Sequence, residues 1–271
     1  MPYNLLKGKK GIIFGALDEK SIAWKTALRC HEEGAALLLT NAPVAMRMGE
    51  INKLAAAVNA PVIPCDVSSN EDVNNLVDKA MEHFEGPVDF ILHSIGMSLN
   101  VRKGKHYTGI DYGFNMKTLD ISAISLHRIL ATCMKKDALK EWGSVVALTY
   151  IAAQRVFPDY NEMADAKALL ESITRSFGYQ YGIKKHVRVN TVSQSPTRTT
   201  AGSGVKGFDG FINYAEKMSP LGNASSEECA NYCVMMFSDM TRMVTMQNLF
   251  HDGGFSFTGV TEAVIDQMGK E

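Results

Sequence analysis

Neither sign of charge dominates this sequence: 28 Lys and Arg stand against 29 Asp and Glu, for a formal net charge of −1. No basic stripe marks a nucleic-acid surface, and no acidic tail marks a basic partner. Long apolar runs are missing too, so no segment reads as a membrane span. The opening residues, Met1 to Lys10, carry no apolar core of the kind a secretory leader needs. Cysteine is sparse: Cys30, Cys65, Cys133, Cys229 and Cys233, an odd number in a chain of 271 residues. A chain this long needs no disulfide staples, so the expectation is reduced thiols in a cytoplasmic protein. Cys229 and Cys233 stand four apart on an expected helix, with no histidine or second cysteine pair beside them. They read as a packed helix face, and no metal site is expected. No HExxH occurs among the histidines. Internal repeats and low-complexity linkers are also missing.

What is present alternates between strand and helix. Short apolar runs at 11–14, 35–40, 61–65, 88–93, 143–148 and 186–192 read as strands, and a last one begins at Gln247. Between them lie helical patterns at 21–34, about 46–58, 70–84, roughly 117–137 and 161–182. Residues 97–106 read as a loop. Short apolar strands separated by helices are buried on both faces and therefore parallel. The expected fold is α/β: one doubly wound, seven-stranded parallel sheet with helices on both faces, Rossmann-like, spanning residues 1–271 as a single domain. Ser193 to Gly222 is rich in Gly, Ser and Thr and follows the sixth strand directly. In such folds ligands bind at the carboxyl ends of the strands, so this segment reads as a partly helical flap. A tolerated surface insertion is the plainer alternative.

Those carboxyl ends carry the candidate cofactor residues. The first turn, Gly15-Ala-Leu17-Asp-Glu-Lys-Ser21-Ile22-Ala23, keeps one glycine where a dinucleotide site usually has several. Ser21 opens the helix, where backbone N–H groups and the helix dipole favour an anion. It could equally be a plain N-cap. Asp66 and Val67 follow the third strand, where a carboxylate could accept from an adenine amine or cap a turn. Ser94, Ile95 and Gly96 follow the fourth, with small residues where a ribose would pass. Gly96 could also be required only for its φ. The second strand ends in Thr40-Asn41-Ala42-Pro43, with no acid to read a ribose 2′-hydroxyl and Arg47 as the nearest base. The reading leans to NADH, with NADPH as the alternative.

Tyr160 and Lys167 lie on the helix after Pro158. Seven residues make almost two turns, so the pair shares a face about 10 Å apart along the axis. A lysine side chain points back toward its helix N-terminus, bringing the ammonium toward whatever lies beside the phenol. A nearby ammonium favours phenolate and lowers the phenol's pKa. That is the chemistry of a proton donor in a nicotinamide-dependent reduction. A buried tyrosine and a solvated lysine on one helix would have the same spacing.

With these residues in place, the chain resembles the enoyl-acyl-carrier-protein reductases, the type I bacterial family within the short-chain dehydrogenase/reductase superfamily. The resemblance covers nearly the whole chain. It rests on Gly15-x5-Ser21-Ile22-Ala23, Cys65-Asp66-Val67, His93-Ser94-Ile95-Gly96, Tyr150-x9-Tyr160-x6-Lys167, Arg188-Val-Asn190 and His251-Asp-Gly-Gly-Phe-Ser256. Ordinary superfamily members space Tyr and Lys by four and add an upstream serine; Thr149-Tyr150 stands at the serine's place here. The resemblance implies hydride transfer from NAD(P)H to a trans-2-enoyl thioester carried on acyl carrier protein, the last step of fatty-acid elongation. Tyr160 would be the donor, Lys167 the ribose anchor and Tyr150 a supporting residue. Gly15, Leu17, Ser21, Ile22, Asp66, Val67, Ser94, Ile95, Gly96, Lys167 and Thr197 would hold the cofactor. Met163, Phe208 and Ile212, with Tyr150 and Tyr160, would form the substrate wall; plain core packing accounts for the first three as well. By analogy the assembly is a homotetramer packed through the helices near 117–137 and 161–182.

Three departures stand out. Lys25 occupies the place of a usual first-helix glycine. Ser195-Pro196-Thr197 replaces the usual Gly-Pro-Ile. The flap's basic cluster is reduced to Lys206, with Asp209 nearby. The alternatives are another short-chain dehydrogenase/reductase acting on a carbonyl or hydroxyl group, and a non-catalytic nucleotide-sensing module.

Overall fold

Six buried residues in a row, Val88–His93, form a strand that no solvent reaches from either face. Such a strand must be central and covered on both sides. The computed structural model describes residues 2–200 and 208–269 and shows how. Its strands are β1 (Lys10–Phe14), β2 (Ala36–Asn41), β3 (Val62–Pro64), β4 (Val88–His93), β5 (Leu139–Thr149), β6 (Arg188–Gln194) and β7 (Asn248–His251). All pair in parallel, in the order β3-β2-β1-β4-β5-β6-β7.

Successive residues of each strand face opposite cores. Ile12, Phe14, Leu38, Ile91, Val145 and Val189 pack with α4 (Asn70–His83), α7 (Ser125–Lys135) and α8 (Glu162–Lys185). Ile13, Leu37, Leu39, Phe90, Leu92, Val146 and Val192 pack with α1 (Ile22–Glu32), α3 (Ile51–Ala57) and α10 (Ser226–Phe237). The doubly wound sheet with two covered faces is therefore as the apolar pattern requires. The order reverses between β1 and β4, which opens a crevice at their carboxyl ends.

Several boundaries depart from the sequence reading, each for a local reason. The helix expected over 46–58 is two helices, α2 (Pro43–Met48) and α3, separated at an extended Gly49. A Cβ there would lie 2.6 Å from the Leu17 carbonyl, so the first cofactor turn presses on this point. The loop at 97–106 contains a short helix, α5 (Leu99–Arg102), capped by Ser98. The helix expected to begin near 117 starts earlier, as α6 (Tyr112–Leu119) capped by Asp111, and runs through a π turn at Asp120–Ile124 into α7. β5 begins four residues before its expected start, and its pairing with β4 is irregular between Val88 and Phe90. Ser193 and Gln194, assigned to the flap, close β6 instead. The described part of the flap includes α9 (Phe208–Met218). The last helix, α11, spans Glu262–Met268. Among the described residues, no helix is long and apolar enough to cross a membrane.

Candidate active site

The turn after β1 is built from backbone. Gly15 sits at φ +92, and a Cβ on it would fall 1.9 Å from the Ser94 carbonyl. No other residue fits that approach. Its N–H donates to the Thr40 carbonyl at 3.1 Å, which joins the turn to the end of β2. Ser21 is the N-cap of α1: its hydroxyl accepts from the Trp24 N–H at 3.3 Å and donates to the Asp18 carbonyl at 2.8 Å. The hydroxyl proton is thus committed within the turn, and Ser21 acts there by shaping backbone. Lys25 turns outward to Glu227 on α10 at 2.9 Å, and Trp24 fills the core beneath. That is how the helix accommodates a side chain where the resemblance leads to the expectation of a glycine.

These residues open onto one cavity of about 1130 Å³ that runs across the carboxyl ends of the strands. Gly15, Leu17, Ser21, Ile22, Asp66, Val67, Ser94, Ile95, Gly96, Met163, Tyr150, Tyr160, Lys167 and Thr197 all line it. Sites dispersed over nearly the whole chain are brought together. Asp66 is also a turn residue: Ser68 donates to it from both its N–H and its hydroxyl, and the hydroxyl bond in particular holds the carboxyl below its usual range.

At the chemical end, α8 presents Met163 and Lys167 to the cavity, and Tyr160 reaches it from the turn just before the helix. The expectation that one helix carries both Tyr160 and Lys167 is thus corrected, because Asn161, at φ +46 and ψ −138, breaks the helical path between them. The rings of Tyr150 and Tyr160 meet edge to face with centroids 5.3 Å apart. The Lys167 ammonium donates to the Leu148 carbonyl at 2.8 Å. A Cβ on Gly96 would lie 3.8 Å from both the Lys167 Nζ and the Met163 Cε, so both side chains converge on that glycine. Burial lowers the Lys167 pKa to about 8, against the opposing pull of Glu171. Burial pushes the Tyr160 phenol up, and the Tyr150 phenol too. This corrects the expectation that the ammonium lowers the Tyr160 pKa. The phenol has lost its water, and desolvation outweighs an ammonium already bonded to a carbonyl. His93, fully buried behind this point, is driven down to about 3 by burial and then by Lys167, so it stays neutral.

Some contacts were not visible in the sequence. Glu171, one turn beyond Lys167, accepts from Thr149, Gln154 and Asn248 and so pins α8 to the ends of β5 and β7. The i,i+4 spacing to Lys167 was a signal for it. Phe157 and Phe211 line the cavity. Ile212 does not; it lies one position around α9, and its carbonyl accepts from Asn223 at 3.0 Å. Phe208 opens α9, but its side chain lies outside the described residues, as does Lys206. Asp209 pairs with Arg198 at 2.5 Å on the surface. The flap's leading segment crosses to the first turn, where the Thr200 hydroxyl donates to Asp18. Among the described residues, no group of three or more His, Cys, Asp or Glu side chains could hold a metal ion.

The cradle fits a dinucleotide. Gly15 leaves bare backbone where a pyrophosphate would run, and the Thr40 hydroxyl is buried on the cavity wall with no partner among the described residues.

Comparison with known proteins agrees with this geometry. A family model described as "Enoyl-(Acyl carrier protein) reductase" matches residues 15–256. The chain is 34% identical over 260 residues to "Enoyl-[acyl-carrier-protein] reductase [NADH] 2" of Rhizobium meliloti (strain 1021), covering 95% of both. Among solved structures, a FabI–NADH complex from Alistipes finegoldii is 64% identical, with a TM-score of 0.95 over 96% of this chain and 92% of that one. An enoyl-[acyl-carrier-protein] reductase (NADH) from Aquifex aeolicus VF5 is 32% identical, with a TM-score of 0.87 over 95% of this chain and 100% of that one.

Proposed function

Because the chain belongs to the enoyl-(acyl carrier protein) reductase family, we propose that it reduces the trans-2 double bond of enoyl thioesters carried on acyl carrier protein, using NADH. The observation that carries this reading is the convergence of Tyr150, Tyr160 and Lys167 on the cavity that also receives the Gly15 turn. Gly15, Leu17, Ser21 and Ile22 would hold the pyrophosphate side; Asp66 and Val67 the adenine; Ser94, Ile95, Gly96, Lys167 and Thr197 the nicotinamide half. NADH, when bound, supplies a hydride to the β-carbon of the thioester.

The residues of the chain manage the charge that follows. Negative charge develops on the thioester oxygen, and a donor fixed there in advance stabilises it. Tyr160 is that donor. Burial keeps its proton on the phenol, so it meets the oxygen as a neutral hydroxyl and gives up the proton only as the oxygen becomes basic. Lys167 is protonated at neutral pH, holds the ribose hydroxyls and adds positive charge beside the reaction. Tyr150 packs against the Tyr160 ring and limits its tilt. Phe157, Met163 and Phe211 form the apolar wall for the acyl chain and keep water out.

The chain works as one catalytic domain with a flap that follows β6 and includes α9. Tyr179 and Ile183 leave apolar surface exposed on α8, which supports a homotetramer packed through α6–α7 and α8. Its five cysteines are all free and buried, which supports a cytoplasmic setting. The test is oxidation of NADH and of NADPH, side by side, with a crotonyl thioester and with simple ketones. Turnover of the thioester with NADH is expected. Turnover of ketones alone would assign the chain to a different reduction.

A further inference from the structure

Glu162 is a carboxylate with no exposed surface, set in the first turn of the helix that carries Lys167 and two residues after Tyr160. Its Oε1 accepts from the Ser98 hydroxyl at 2.5 Å and from the Thr118 hydroxyl at 3.1 Å. Its Oε2 is buried with no partner among the described residues. A half-paired buried carboxylate is costly, and an apolar side chain would suit this position better for stability alone.

Neither donor depends on Glu162 for its own place. Ser98 also caps α5, accepting from the Val101 N–H at 3.0 Å. The single Thr118 hydroxyl proton is shared between Glu162 and the Phe114 carbonyl, which lies at 2.9 Å and would hold the hydroxyl without Glu162. What Glu162 adds is a tie between three segments that meet at the cavity: the turn after β4, helix α6, and the start of α8. Ser98, Val101 and Arg102 line that cavity, and Val101 packs in one cluster with Met163, Ala166 and Tyr160.

The backbone on either side of Tyr160 is strained. Asp159 stands at φ +63, and Asn161 at φ +46, ψ −138, a region that side chains rarely adopt. The Asn161 side chain donates to the Lys105 carbonyl at 2.5 Å, across the same junction. Two consecutive residues of the α8 start, Asn161 and Glu162, thus reach across to the 98–105 segment. Strain of this kind persists only where the surroundings enforce it.

We infer that Glu162 is a positioning residue for Tyr160: through Ser98 and Thr118 it holds the first turn of α8, and with it the phenol, in register with the 98–102 segment and α6. The inference rests on the donor role of Tyr160 proposed above. Replacing the carboxylate leaves the phenol in place chemically but lets it wander, and a displacement of about 1 Å costs on the order of 100-fold in rate.

The test is a mutant cycle read in kcat with a crotonyl thioester, in the dissociation constant of NADH and in thermal stability. Glu162→Val lowers kcat by roughly 10- to 100-fold, with NADH affinity near wild type and melting temperature at or above it. Glu162→Gln, which keeps an acceptor at Oε1, restores kcat to within about fivefold of wild type. In a Tyr160→Phe background, Glu162→Val has no further effect, since its action passes through the phenol. Wild-type kcat in Glu162→Val overturns the inference, as does an undiminished effect in the Tyr160→Phe background. Should Glu162→Val fail to fold, Thr118→Val removes a donor from the other side and meets the same criteria. Full turnover in Tyr160→Phe alone would instead remove the donor role itself, a distinct result.

Discussion

The two ends of the cavity are made by opposite means. At the cofactor end, Gly15 and Ser21 shape a turn in which the polar groups described are satisfied and the fit comes from backbone alone. At the chemical end, Tyr160, Lys167 and Glu162 are desolvated, Glu162 is half-unpaired, and the backbone on either side of Tyr160 is strained. On the proposed reading the first end receives a highly charged dinucleotide, for which a low-energy complementary surface suffices. The second must hold groups in states water would not favour, and the fold gives up stability there to keep them.

The largest test of that contrast is Lys167→Met. Turnover falls by about 1000-fold and NADH binds more weakly, yet the protein free of cofactor becomes more stable by about 1 kcal/mol at pH 7. The sign follows from the lysine's lowered pKa. The folded chain releases this proton near pH 8, while the unfolded chain keeps it to the ordinary lysine value, so wild-type stability from this group rises with pH between the two. Denaturation curves should therefore show the advantage of the mutant shrinking as pH rises from 7 to 10. A mutant less stable than wild type at pH 7 would place Lys167 among the structural residues.

Gly15→Ala comes next and should behave in the opposite sense. Forcing a Cβ against the Ser94 carbonyl at positive φ costs more than about 2 kcal/mol of stability, and NADH affinity falls with it. An alanine variant with normal melting and normal NADH titration would show that the turn has room the structure denies.

How far such contrasts can be read from sequence depends on what makes them. β4 was legible to the residue because burial on both faces leaves a short, mostly apolar run, Val88-Asp89-Phe90-Ile91-Leu92-His93. Tyr160 and Lys167 were legible as a pair lining one cavity, but not by the helical geometry expected of them: Tyr160 precedes α8, and the non-helical Asn161 between them sets where the phenol points. The sign of the Tyr160 shift was not, since it depends on how much water the folded walls exclude. Gly49 was passed over because its reason lies in a carbonyl thirty-two residues away, at Leu17. Phe211 in place of Ile212 is an error of one helical position, and α9 offers both an apolar side chain. Glu162 drew no notice in the sequence, because its partners Ser98 and Thr118 come from other elements.

The smallest expected effect sharpens the cofactor end. Ser21→Ala removes a helix cap and should cost about 1 kcal/mol of stability, with kcat for the thioester unchanged. A large loss of kcat without a loss of stability would mean that Ser21 touches the chemistry after all.

The central claim is that the phenol of Tyr160 stabilises the oxyanion and does not hold the cofactor. It is tested most directly by measuring kcat for a crotonyl thioester and the NADH dissociation constant together in Tyr160→Phe. The account predicts kcat about 100-fold below wild type with NADH bound as tightly as before; a variant that loses NADH binding in step with turnover, or that turns over normally, would contradict it.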